Sequence, residues 1–268
     1  MAETAQFAQI SWNGRPARIE YQWIARERSD APLLVFLHEG LGSVAMWRDF
    51  PQRLCDAAGC RGLVWSRPGY GRSTPRADDE RWKPDFMHRQ AHEVLPALFE
   101  ALGLDTAEKP WLFGHSDGGS IALLYAARFP QRVAGVVALA PHVMVEDVSV
   151  ASIAQTRAAY ENTDLRARLA RYHDDPDSAF WGWNRIWLDP DFRHWSITAE
   201  IAAIRCPVLA VQGRDDEYGT MAQIREIARC VPAAELLELA DCGHSPHRDQ
   251  PDRLIATVTR FIHQGDTS

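Results

Sequence analysis

The chain has 268 residues, 46% of them hydrophobic, which suits one large α/β domain or one domain carrying an insertion. Its formal net charge of −7 at pH 7 leaves no basic footprint for nucleic acid and, beyond favouring solubility, says little else. The five cysteines, none in a C-x-x-C spacing, make neither a disulfide framework nor a thiol-rich zinc site.

Residues 5–10 and 18–24 alternate in polarity around Asn13-Gly14, so they read as an antiparallel hairpin. Residues 32–37 form a continuous apolar run of the kind buried on both faces of a parallel sheet. A helix is expected over 45–58, a strand over 62–66, a helix over 85–102 and a strand over 111–114. A helix over 118–129 and a strand over 133–139 continue the alternation, which argues for a doubly wound sheet with helices on both faces. From Pro141 to Ile204 the alternation lapses into helical propensity crowded with aromatic residues. It resumes with a strand over 207–212, a helix over 220–230, a strand over 235–239 and a last helix over 251–263. The expected organisation is a core of residues 1–140 and 205–268 interrupted by a helical cap of 141–204.

The motif with the most chemical content is Gly114-His115-Ser116-Asp117-Gly118-Gly119, placed between an expected strand and an expected helix. G-x-S-x-G in that context is a nucleophile elbow, whose glycines let neighbouring backbone pass a sharp turn. The helix N-terminus beneath it offers amide donors to a developing oxyanion. A serine hydroxyl needs a base, and the base needs an orienting acid. Candidate acids Asp215 and Asp216 follow the strand over 207–212; candidate bases His244 and His247 follow the strand over 235–239. Both loops fall at strand C-termini, where the sites of open sheets lie.

With these motifs in the order H-x-G, G-x-S-x-G, G-x-x-D and G-H, the chain resembles the α/β-hydrolase family from about residue 5 to 264. The resemblance implies a mostly parallel eight-stranded sheet with Ser116 as nucleophile, Asp216 as acid and His244 as base. Serine at 116 separates it from the haloalkane dehalogenases and epoxide hydrolases. The elbow Ser116-Asp117-Gly118-Gly119 and the later Val145-Glu146-Asp147 are similar to the valacyclovir hydrolase (biphenyl hydrolase-like) branch. By the same resemblance the oxyanion hole takes one amide from Asp117 and one from the loop 38–43, at Gly40 or, with the loop offset, Leu41. Glu39 departs from the family's His-Gly, and His38 is expected to buttress the loop. Arg67-Pro68-Gly69-Tyr70-Gly71-Arg72-Ser73 looks like a structural loop of relatives in which Ser66-Arg67 replaces an acidic start.

His88 and His92, four apart on one helix, lack a third ligand and read as a solvated pair; no metal or organic cofactor is implied. Of the cap aromatics, Trp181 and Trp187 are the candidates to contact substrate together with Glu39 and Leu41. The acidic residues Glu39, Asp117 and Glu146 oppose an oxyanion if they face it. They either cap helices and pair with arginines, or one of them receives a cationic group of the substrate. The reaction expected is two-step acyl transfer on small carboxylic esters, with amide, thioester or C–C bond hydrolysis and a non-catalytic ligand receptor as rivals. MAETAQFAQISWNG carries no secretory signal pattern and no apolar run reaches a membrane span of about 18 residues. A cytoplasmic location without membrane partners is therefore expected, with a homo-oligomer left open.

Overall fold

The computed structural model describes residues 6–77, 79–104 and 108–265, so Ala5, the expected first strand residue, lies outside them. Strand β1 (Gln6–Trp12) turns into β2 (Arg15–Ile24) through Asn13 and Gly14, both left-handed at φ 53° and 71°. That pair of positive φ values makes the hairpin turn, and Asn-Gly tolerates it. β3 (Leu33–Leu37), β4 (Arg61–Trp65), β5 (Trp111–His115), β6 (Gly135–Leu139), β7 (Val208–Gly213) and β8 (Glu235–Leu239) complete one sheet. The sheet order is β1-β2-β4-β3-β5-β6-β7-β8, antiparallel at its first two pairings and parallel from β4 to β8.

Strand side chains alternate between two cores. Leu33, Val35 and Leu37 of β3 enter one, while Leu34 and Phe36 enter the other, and β5 to β7 divide in the same way. Helix α1 (Phe50–Ala58) lies on one face; α2 (Phe86–Arg89), α3 (Leu95–Ala101) and α4 (Asp117–Arg128) lie on the other.

The expected helix over 45–58 is divided into a 3₁₀ turn, Val44–Trp47, and α1. Arg48 at φ 55° breaks it, and Pro51 restarts it in the first turn, where a missing N–H costs nothing. The expected helix over 85–102 is continuous but passes through a π turn at Gln90–Val94. Pro96, just beyond, has no N–H to return to the carbonyl one turn back, so the ladder loosens there.

Between β6 and β7 stand α5 (Asp147–Asn162), α6 (Leu165–Leu169), α7 (Pro176–Trp187) and α8 (Thr198–Ile201). The Tyr160 and Phe180 rings stack at 3.6 Å, and Phe192 stacks on Trp195 at 5.1 Å, giving this segment an aromatic centre of its own. α9 (Ala222–Cys230), α10 (Pro246–Asp249) and α11 (Pro251–Gly265) close the chain. Among the described residues no helix is long and apolar enough to cross a membrane.

Candidate active site

The elbow is built by exclusion of side chains. Ser116 sits at φ 53°, ψ −121° between β5 and α4, a conformation that costs a non-glycine residue about 1–3 kcal/mol. Its backbone N–H is held by the carbonyl of Leu139 at 2.8 Å. A Cβ at Gly114 would strike the Gly118 carbonyl, and one at Gly118 would strike that of Leu37, so both positions require glycine.

The structure brings Ser116, His244 and Asp216 together. His244 Nε2 is 3.0 Å from Ser116 Oγ, and His244 Nδ1 is 2.9 Å from each oxygen of Asp216. Asp216, its side chain fully buried, also accepts from Tyr218 N (2.7 Å), Gly219 N (3.2 Å) and Gln212 Nε2 (2.6 Å). Burial pushes its carboxyl up, but these donors and His244 outweigh that and leave it below the usual carboxylate range. Being acceptor-only, it fixes the proton of His244 on Nδ1 and turns the Nε2 lone pair toward the serine. Asp215 points into solvent. His247 is buried in α10 with its ring 5.0 Å from that of Trp47 and 4.8 Å from that of His115, and none of the described hydrogen bonds joins it to Ser116. His115 in turn donates from Nε2 to the His244 carbonyl at 2.7 Å, tying the elbow to the histidine loop.

The loop Glu39–Gly42 is a turn closed by Gly42 N on the Glu39 carbonyl (3.1 Å). That carbonyl also accepts from His38 Nδ1 (2.7 Å) and Arg67 Nη2 (2.9 Å). His38 Nε2 accepts from Arg67 N at 3.0 Å, so His38 is a neutral strut between two loops. Among the described residues no protein acceptor takes the N–H of Gly40, Leu41 or Asp117. Gly40 has a packing reason as well, since a Cβ there would collide with the indole of Trp183.

A cavity of about 160 Å³ lies over Ser116 and His244, floored by Glu39, Gly40, Leu41 and Asp117. His142, Ile153, Trp183, Trp187 and Tyr218 form its walls. A groove of about 630 Å³ between the N-terminal hairpin and residues 74–90 is larger but holds none of Ser116, His244 and Asp216, so chemistry and not size selects the candidate site.

Trp187 lines the cavity and donates from Nε1 to Asp117 Oδ1 at 3.2 Å. Trp181 does not line it. Its half-buried ring packs on Phe180 and Tyr160 and under Arg157 and Arg185, on the outer side of α7. Trp183 takes the place assigned to it, and its i,i+4 spacing to Trp187 was the signal available. His142, two residues beyond the turn out of β6, also went unnoticed. Burial and the neighbouring charge of His244 push it down to about 3, so it stays neutral.

The three acidic residues each lie near a protein cation or donor. Asp117, fully buried, faces Arg67 at 3.7 Å, itself fully buried and lying over the Tyr70 ring at 4.6 Å. Burial pushes the Asp117 carboxyl up, and Arg67 opposes that. Glu39 lies 3.6 Å from both His115 and Arg248; burial alone would raise its carboxyl, but the neighbouring His115, His247 and Arg248 side chains hold it well below the usual range. Glu146 accepts from Thr220 N, Thr220 Oγ1 and Gln223 Nε2, away from the cavity.

Burial lowers the pKa of His244, but the hydrogen bond and charge of Asp216 more than compensate and leave it raised. A general base must be unprotonated, so kcat/KM should fall as pH drops through a value above the ordinary imidazole pKa of about 6.5. His142 and His247, both shifted downward, leave that limb uncomplicated. A pH–rate profile with its midpoint below the free-imidazole value would mean that Asp216 does not support His244.

A sheet of this order carrying a serine–histidine–aspartate relay on its C-terminal edge defines an α/β-fold hydrolase. Residues 34–257 match the model of the Alpha/beta hydrolase family, and the chain belongs to that family. It is similar to a 2-hydroxy-6-oxo-6-phenylhexa-2,4-dienoate hydrolase of Comamonas testosteroni, 20% identical over 89% of this chain and 90% of that one. It is also similar to a bifunctional esterase/perhydrolase of Acinetobacter calcoaceticus, 27% identical over 70% of this chain and 75% of that one. Among solved structures, a thermophilic esterase from Thermogutta terrifontis superposes with a TM-score of 0.73 at 17% identity, covering 98% of this chain and 99% of the other.

Proposed function

We propose that the protein hydrolyses small, uncharged carboxylic esters through an acyl-enzyme on Ser116, with residues 141–204 as the lid over the acyl site. The observation that carries this reading is the hydrogen-bonded relay Ser116–His244–Asp216 at 3.0 and 2.9 Å, facing a cavity lined in part by Ile153, Trp183 and Trp187. His244 takes the serine proton as Oγ attacks the carbonyl and returns it to the departing alkoxide; water then repeats the sequence on the acyl-enzyme. Asp117 N–H and the N–H of Gly40 or Leu41 receive the oxyanion. Asp216 keeps the imidazole in the required tautomer and stabilises its charged form.

Size limits the acyl group. An apolar cavity of about 150 Å³ accommodates a benzene-sized guest. The acyl site here is of that order, at about 160 Å³. The cavity opens outward, so this volume bounds the group held against Ser116 and not the whole substrate.

Charge limits it too. Asp117 lies 3.7 Å from the Arg67 guanidinium, Glu39 lies 3.6 Å from that of Arg248, and Glu146 is engaged by Thr220 and Gln223, so each carboxylate already has a protein cation or donor near it and an ammonium group has less to gain there. A valyl ester should therefore be hydrolysed no faster than its des-amino analogue at pH 7 and low salt. Steady-state kinetics on the pair decide it. A preference for the ammonium ester of about tenfold or more, worth about 1.4 kcal/mol, would show a carboxylate reading substrate charge.

A further inference from the structure

We infer that His173, carried by the segment between α6 and α7, is a positioning residue that latches the oxyanion loop by the carbonyl of Leu41. The inference rests on the acyl-transfer reading above. Gly71 N donates to His173 Nδ1 at 2.9 Å, so Nδ1 is bare and the ring proton sits on Nε2. Nε2 lies 2.9 Å from the Leu41 carbonyl and donates to it. Both ring nitrogens are thus committed, in one neutral tautomer, to loops far away in the chain. The residue is 3% exposed, and burial lowers its pKa, in keeping with the neutral form.

The latch matters because of where it grips. The Glu39 carbonyl is clamped from the core by His38, Arg67 and Gly42. The Leu41 carbonyl is held from the other side by His173. A peptide group is planar, so fixing the carbonyls of Glu39 and Leu41 orients the peptide units on either side of the Gly40–Leu41 bond. Of the candidate oxyanion donors, Gly40 N–H shares the plane of the clamped Glu39 carbonyl, while Leu41 N–H belongs to the intervening peptide unit, whose neighbours on both sides are fixed. Preorganisation of such donors is where oxyanion stabilisation comes from, since they must not reorganise as charge develops. Removing a donor outright costs about 10²–10³ in kcat, so freeing one of the two clamps should cost less, about tenfold to hundredfold.

The two bonds can be separated by substitution. His173→Asn keeps an acceptor near the Nδ1 position for Gly71 and loses the donor to Leu41. His173→Gln reaches to the Nε2 position and keeps that donor. Hydrolysis of p-nitrophenyl acetate and inhibition by a phenylboronic acid, whose tetrahedral adduct places an oxygen in the oxyanion hole, are measured on both and on the parent. The expected result is kcat lower by about tenfold to hundredfold in His173→Asn with KM little changed, and boronate affinity lower by a similar factor. His173→Gln should recover most of both. A His173→Asn protein with parental kcat and boronate affinity, or a folded His173→Gln protein as impaired as His173→Asn, overturns the latch. A parent that turns over no ester defeats the acyl-transfer reading instead, and the boronate affinities of the variants then still judge the latch.

Discussion

Ser116→Ala should yield a folded protein whose ester turnover is reduced by roughly a millionfold, the loss seen when a triad serine is removed. Ser116 Oγ lies 3.0 Å from His244 Nε2, the only hydroxyl among the described hydrogen-bond partners of that nitrogen. Alanine keeps the Cβ and hence the backbone strain already present at φ 53°, so the elbow loses its nucleophile without a new clash. Assay of p-nitrophenyl acetate hydrolysis beside a far-UV circular dichroism spectrum separates chemistry from folding. A folded variant retaining a tenth of the parental rate would remove Ser116 from the mechanism.

Asp216→Asn is expected to lower kcat by about 10⁴, while Asp215→Asn leaves it nearly unchanged. Asp216 receives donors from His244, Gln212, Tyr218 and Gly219, so every position around its oxygens is occupied by an N–H. An asparagine amide must turn its NH₂ toward one of them, and the outcome that relieves His244 is the tautomer with its proton on Nε2, which cannot accept from the serine. Asp215 is exposed, and its backbone N–H donates to the Cys242 carbonyl, a bond that asparagine preserves. Reversal of the two effects in steady-state kinetics would move the acid by one residue.

The relay was legible in the sequence because each member sits in a short motif whose spacing is local: Ser116 between glycines, Asp216 three residues after Gly213, His244 after Gly243. Strand runs were legible for the same reason, since burial on both faces leaves uninterrupted apolar stretches. The cavity walls were not. Trp181 and Trp183 differ by about 200° around α7, and composition does not say which way a helix is rotated about its axis. Arg67 and Asp117 each read as a local peculiarity, and their pairing belongs to the fold, as does the reach of His173 to Leu41 and Gly71. The break at Arg48 was hidden because a left-handed arginine leaves no mark in its residue type.

The segment between β6 and β7 is sewn to both sides of the chemistry. His173 bonds to the loop that carries Leu41, while Ser149, Ser152 and Thr156 of α5 bond to Tyr218 and Glu217 beside Asp216. For protein engineering this makes the segment a poor interchangeable part. A chimera that grafts a relative's segment at residues 141 and 204 would inherit the frame yet lose its fastenings to the loops of Leu41 and Tyr218. Exchanging pocket-lining residues on the existing helices, Ile153 and Trp183 first, keeps those fastenings and is the route by which substrate range can be recast.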